Sequence, residues 1–325
     1  MIRTLQQVLR RLALAAGLVL AVLAVNFTLI HAAPGDPAVV IAGEMGGADE
    51  AAMAEIRKAY GLDRPLLAQF VTYVGRSLQG DLGRSYLLNQ PVLDLILDRL
   101  GPTILLVLTA LVVAIVAGTL LGVLASRRPD SVFSGAVTIG SLVGYAMPVF
   151  WTGILLVILF GKVWPVLPIA GMRDVRLYGD WWVTTLDVLH HLVLPATTLA
   201  IVYIAQYSRL ARASMLEVLG SDYIRTARAK GLGEGPVVFK HALRNALMPI
   251  VTIAGLQFGH LISGALLVET VFSWPGMGTL ALESILGRDY PVLLGILTFS
   301  AVLVIVANLL TDLSYRWLDP RLRGK

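Results

Sequence analysis

Residues 101–125 read GPTILLVLTALVVAIVAGTLLGVLA, a run without a single charged side chain. A helix needs roughly 20 mostly apolar residues to cross about 30 Å of hydrocarbon with every backbone N–H and C=O satisfied internally, so this run reads as a membrane span. Five other stretches qualify: Leu12–Ile30, Val132–Gly161, Val188–Ser208, Asn245–Val268 and Tyr290–Thr311. Composition agrees, with 57% hydrophobic and 14% charged residues, against roughly 45–50% and 25% in soluble domains. The expected fold is all-α: a polytopic membrane protein of six transmembrane helices, with a small, mostly helical outer segment and a short inner loop between the fourth and fifth spans.

Arg3, Arg10 and Arg11 precede the first span and Ala32 and Ala33 follow it, as in a secretory signal. An h-region is usually about 7–15 residues, shorter than this run, so an uncleaved first helix is the simpler account. An even number of spans puts both termini on one side. If that side is the cytoplasm, the inner segments hold sixteen basic and six acidic residues, leaving ten basic and fifteen acidic ones outside or near the outer interface. That bias is the positive-inside pattern. The formal net charge of +5 therefore reflects topology and lipid headgroups. A nucleic-acid partner would need the cations gathered on one solvated face. Trp164, Trp181, Trp182, Trp274, Tyr290 and Trp317 fall near span ends, where amphipathic rings anchor in the headgroup layer.

The boundaries expected are 1–30 for the inner terminus and first span, 31–100 for the outer segment, 101–315 for the five-helix domain and 316–325 for an inner tail. The outer segment opens with Pro34, Gly35, Asp36 and Pro37, which end the first helix. A helix over Glu50–Tyr60 follows, capped by Asp49 and Gly61. Another starts near Pro65 and ends by Gly80. Some 70 residues bury only a modest core, so this segment should lie against the outer span ends. It is either a surface cap or a docking site for a substrate-delivery protein.

The inner loop, 221–249, carries the most information. Ser221 and Asp222 offer an N-cap, Tyr223–Lys230 makes two helical turns, and Gly231, Gly233, Gly235 and Pro236 break the chain before a second helix over Val237–Ala246. Asn245–Pro249 then leads into the fifth span. Such an elbow would set Ile224, Ala227 and Leu232 into a partner's groove with Arg225, Arg228 and Lys230 on its rim. The alternative is a basic loop resting on anionic lipid.

The run Asp222-Tyr223-Ile224-Arg225-Thr226-Ala227-Arg228-Ala229-Lys230-Gly231-Leu232, followed by His241-Ala242-Leu243-Arg244-Asn245-Ala246-Leu247-Met248-Pro249, resembles the cytoplasmic loop of B-type permease subunits in dipeptide and oligopeptide ABC importers. Pro34-Gly35-Asp36-Pro37, Gly80-Asp81-Leu82-Gly83, Gly144-Tyr145-Ala146-Met147-Pro148 and Glu269-Thr270-Val271-Phe272-Ser273-Trp274-Pro275-Gly276 look like further signatures of that family, in order along nearly the whole chain. The resemblance implies a type I importer fold in a bacterial inner membrane. It implies four partners: a homologous second permease subunit, two ATP-binding subunits, and a periplasmic or lipid-anchored solute-binding protein. Tyr223, Ile224, Arg225, Thr226, Ala227, Arg228, Lys230, Gly231, Leu232, His241, Arg244, Asn245 and Pro249 would form the ATPase-coupling loop. Asp36, Glu269, Trp274, Pro275 and Gly276 would belong to the periplasmic side of the pathway.

The general importer motif places Glu and Ala six and five residues before its Gly; aligned on Gly231, those positions hold Arg225 and Thr226. Backbone shape and basic rim contacts would then carry the docking instead of a carboxylate. No Walker A pattern occurs, so ATP and Mg belong to partner subunits and this chain is expected to bind no cofactor and catalyse nothing. It has no cysteine. His31, His190, His191, His241 and His260 include no zincin pair, and adjacent helical residues such as His190 and His191 point about 100° apart. An ion-coupled secondary transporter is the competing class, but it would place acids at mid-membrane, and the six runs hold none. A membrane enzyme would need paired polar catalytic groups at one depth. Pro148, Pro195, Gly140, Gly144, Gly255 and Gly259 are expected to allow kinks and close helix contact. The solute, among dipeptides, oligopeptides, nickel chelates, glutathione and opines, is not legible in the residues.

Overall fold

The computed structural model describes residues 2–32, 53–54, 57–58, 63–177 and 179–318, without side chains near both ends of the chain and at 255–256 and 258–264. The expected turn at Pro34–Pro37, with Asp36, lies outside the described residues, as does nearly all of the expected Glu50–Tyr60 helix. The major helices are α1 (Ile2–Ala32), α2 (Leu66–Leu78), α3 (Val92–Arg127), α4 (Val132–Ala146), α5 (Val149–Ile158), α6 (Trp181–Leu219), α7 (Asp222–Ala229), α8 (Leu243–Val271), α9 (Met277–Leu286) and α10 (Tyr290–Leu318). The chain divides into two compact units, residues 1–100 with 280–306, and residues 101–279 with 307–325.

In the first unit, α2 begins after Pro65, as its fixed φ suits a helix start. Phe70 of α2 meets Phe27 of α1 edge to face at 5.2 Å, and His31 shares a hydrogen bond of 3.1 Å with Gln69. Asn26 is buried on α1 and satisfied by donating to Thr298 Oγ1 at 2.9 Å. The turn over 85–90 closes on buried Asp289, which accepts from the Ser85 hydroxyl and from Tyr86 N at 3.1 Å. An acceptor-only carboxylate can stay buried because the turn supplies it with donors.

In the second unit, α3 and α6 are 36 and 39 residues long. At about 1.5 Å per residue they outreach a hydrocarbon layer of about 30 Å, so both must project beyond it. Among the described residues four helical stretches are long and apolar enough to span: Val92–Arg127, Trp181–Leu219, Glu234–Ala254 and Tyr290–Leu309; α1 contributes an apolar stretch over Ala13–Leu29. The run Val132–Gly161, expected as one span, is instead two helices bent by 106°. Met147 is held extended (ψ 132°) by the proline that follows it, and Pro148 continues extended before α5 begins. An uncharged run therefore does not guarantee a straight crossing.

The close approach of α3 to α6 rests on Gly118 and Gly122, one turn apart on α3. A Cβ on Gly118 would stand 2.7 Å from Tyr207 Cβ of α6, and one on Gly122 2.5 Å from the Ser208 carbonyl oxygen. Removing side chains lets the two backbones approach, the small-xxx-small device of membrane helices. Gly140 has no atom near its missing Cβ, and Gly144 makes only ordinary contact with Ile201 at 3.5 Å, so these two do not supply the close approach expected of them. Gly255 and Gly259 lie in the stretch without side-chain detail. Leu106, Leu199, Tyr207, Ile250, Val268, Phe272 and Trp274 are fully buried in the core that the contact closes over.

Replacing Gly122 by Val forces the α3 and α6 backbones apart. Gly122→Val should lower the melting temperature of the detergent-solubilised protein, overpacking costing about 1–3 kcal/mol, whereas Gly140→Val should leave it unchanged.

Candidate functional site

The elbow expected between the fourth and fifth spans starts where α6 ends. Ser221 takes the extended N-cap conformation, but its hydroxyl donates backwards to the Val218 carbonyl at 2.6 Å and leaves the start of α7 uncapped by a side chain. Two turns later Lys230 is the C-cap and Gly231 turns left-handed, φ +80°, with Leu232 N donating to Ala227 O at 3.3 Å. That closure is the glycine-terminated helix end the sequence indicated. Glu234–Pro236 forms a helical turn, and a wider π-type turn over Val237–Ala242 merges into α8 without a gap. Pro236 thus lies in the first turn of the second helix, which starts at Glu234, where the sequence reading had it as a breaker; proline is tolerated there because first-turn N–H groups have no intrahelical partner. Pro249 lies exposed inside α8.

Ile224 and Ala227 are buried against Val123, Met215, Val237, Val238, Ala242 and Ala246 of the same chain. This corrects the expectation that they fill a partner's groove. An eight-residue helix is too short to stand alone, so its apolar face is used to hold it onto the ends of α3, α6 and α8. The outward surface carries Tyr223, Arg225, Thr226, Lys230, Leu232 and Phe239, with Arg244 and Asn245 also exposed and His241 half-buried. Tyr223, Leu232 and Phe239 are each 40–45% exposed, an apolar group amid cations. Phe239 was missed in the sequence, where nothing separates it from its apolar neighbours Val237 and Val238, both of which are buried.

Two of the rim cations already have partners. Arg225 pairs with Asp222 at 3.0 Å, and Arg228 grips Glu234 with Nε at 2.7 Å and Nη2 at 3.2 Å, clasping the glycine turn. The carboxylate hydrogen bond raises the Arg228 pKa further, against a small opposing effect of burial. Asn245 Nδ2 donates to the Tyr223 hydroxyl at 2.6 Å, tying the two ends of the elbow. Thr226 Oγ1 donates to its own helix, at Asp222 O.

The turn after α8 is built on Glu269, which the sequence placed just outside the fifth span and the structure places, fully buried, in the last turn of α8. Its carboxylate accepts from Thr103 Oγ1 at 2.6 Å and from Gly278 N at 2.6 Å. A side chain on Gly276 would collide with that carboxylate. Ser273 adopts φ +49°, and buried Trp274 donates its indole N–H to the Pro102 carbonyl at 2.9 Å. Trp274 is therefore a core strut, not a headgroup anchor; Trp164, Trp181 and Trp182 are exposed. Pro275 is half-buried beside it. Before α6, an open recess of roughly 660 Å³ is lined by Arg173, Asp174, Arg176, Asp187, His190 and His191 among others. His191 faces Asp187 at 3.1 Å, while the His190 and His191 rings sit 6.4 Å apart.

Ile224→Ala removes a filled volume from the anchored face and should destabilise the protein by about 2–5 kcal/mol in a thermal melt. Glu269→Ala strands the Thr103 hydroxyl and the Gly278 and Thr279 amides and should cost about 1–3 kcal/mol per donor left unsatisfied, most of it recovered by Glu269→Gln, which keeps an acceptor.

Comparison with known proteins matches residues 114–324 to the binding-protein-dependent transport system inner membrane component family, and residues 4–107 to that family's N-terminal region. The dipeptide transport system permease protein DppB of Escherichia coli K12 is 38% identical over 99% of both chains. The di/tripeptide transport system permease protein DppB of Pseudomonas aeruginosa is 41% identical over 97% of both, and the oligopeptide transport system permease protein AppB of Bacillus subtilis 38% identical over 97% of this chain and 98% of its own. With relatives 38–41% identical over 97–99% of its length, the chain belongs to the binding-protein-dependent transport system inner membrane components, multi-pass permease subunits of ABC transporters.

Proposed function

We propose that this chain is one permease subunit of an importer that carries short peptides across the bacterial inner membrane, powered by ATP hydrolysed on separate subunits. What carries the reading is the elbow: a two-turn helix anchored on its buried side and presenting Tyr223, Leu232, Phe239 and Lys230 outward. The relatives' dipeptide, di/tripeptide and oligopeptide names support the substrate class. In this reading six spans place both termini and the elbow in the cytoplasm, a second permease subunit completes the pathway, and a solute-binding protein delivers peptide to the outer face. The Glu269 turn, with Trp274, Pro275 and Gly276, forms part of that face. Closure of two ATP-binding subunits pushes on the elbow and reorients α6 and α8.

The loop's role needs shape as well as charge, since Arg225 and Arg228 are engaged within the chain. The outward residues Tyr223, Leu232 and Phe239 then make the apolar part of the contact and the exposed Lys230, Lys240 and Arg244 its cationic part. A secondary transporter gains nothing from Glu269, whose carboxylate is consumed by Thr103 and the backbone of the outer turn.

In proteoliposomes holding the complete transporter, dipeptide uptake should require ATP and should stimulate its hydrolysis. Leu232→Ser together with Phe239→Ser should leave the melting temperature unchanged yet abolish stimulation. Uptake driven by a proton gradient with the ATP-binding subunits absent would overturn the proposal.

A further inference from the structure

Gln257 lies midway along the uncharged stretch between Arg244 and Glu269, the deepest position α8 can offer. Its amide partner is on α6: Gln257 Nε2 donates to Gln206 Oε1 at 2.9 Å, and both side chains are only half-buried. A primary amide has two N–H donors and two acceptor lone pairs. The shared bond uses one donor of Gln257 and one lone pair of Gln206, so most of the hydrogen-bonding capacity of the pair points elsewhere. Lipid tails offer nothing to it, and polar groups at this depth face a water-filled path or another chain.

The same face of α6 continues the polarity. Tyr203 lies one turn before Gln206 and Arg209 one turn after, both half-buried, at the i, i+3 spacing that stacks side chains along a helix. The Arg209 guanidinium sits 4.8 Å from the centre of the Tyr145 ring, held over an aromatic face that is itself more than half exposed. Phenol, amides and guanidinium in sequence match what a peptide displays: backbone N–H and C=O groups and a terminal carboxylate. We propose that Gln206 and Gln257, flanked by Tyr203 and Arg209, are a peptide-reading station on the translocation pathway. The amides exchange their mutual bond for bonds to the peptide backbone as it passes, and Arg209 favours the carboxylate end. This assignment rests on the importer reading above.

The absence of native cysteine makes the test direct. Single-cysteine variants Gln206→Cys, Gln257→Cys and, as a control on an exposed apolar face of α3, Val112→Cys are assembled with their partner subunits in proteoliposomes and treated with a charged, membrane-impermeant thiol reagent. The two glutamine positions should react, Val112→Cys should not, and a dipeptide presented with the binding protein should slow the reaction. In parallel, Gln206→Leu should raise the KM for peptide uptake about two- to tenfold, the loss of one neutral hydrogen bond, with Gln206→Asn intermediate. Unreactive glutamine positions, or reaction indifferent to peptide, would overturn the station. If the unsubstituted transporter shows no peptide-stimulated ATP hydrolysis, the importer reading itself falls.

Discussion

Hydrocarbon offers no hydrogen-bond partner, and helices that lie there must satisfy their polar groups from within. Helices solve the problem for the backbone. Between helices, attraction no longer comes from expelling water, so it has to come from close contact and shared polar bonds. The α3–α6 crossing takes the first route, with Gly118 and Gly122 pressed against the Tyr207–Ala211 backbone. The Glu269 turn takes the second, collecting donors from Thr103 and from the start of α9 around one buried carboxylate.

These two devices leave the end of the unit that carries α7 free for a different task. α7 hangs between α6 and α8 with a buried apolar side and a mixed outer side, and it is terminated by a glycine whose left-handed backbone would strain any other residue by roughly 1–2 kcal/mol. Own-chain pairs, Arg228 to Glu234 and Asn245 to Tyr223, hold the turn in shape. Exposed ion pairs contribute little stability; their value here lies in restricting the conformations the elbow can take.

Much of this was legible in the residues because charge and its absence are unambiguous signals. The spans around 101–125, 188–208 and 290–311, the helix from Pro65, the Gly231 stop and the family signatures were all read correctly. What escaped were features set by neighbours in space. The 106° bend at Met147–Pro148 looks like continuous apolar sequence, because a proline can kink a helix mildly or break it and hydropathy does not distinguish the two. Gly118 and Gly122 stood in plain view at four-residue spacing, yet only the facing Tyr207 and Ser208 backbone reveals them as the contact. Ile224 and Ala227 showed a helical apolar face, but a pattern states that a face will be buried without stating against what. Trp274 had the composition of an interfacial anchor and the environment of a core residue.

The elbow helix therefore serves two masters on two sides. Ile224 and Ala227 must fit the volume left by Val237, Ala242 and Met215, so any change there has to be matched within the chain. Lys230, Leu232 and Phe239 stand outside that buried cluster and face outward. The inward half is thus bound to its own scaffold while the outward half is free to drift with whatever surface it touches, and a two-turn segment can change allegiance without loosening its hinge.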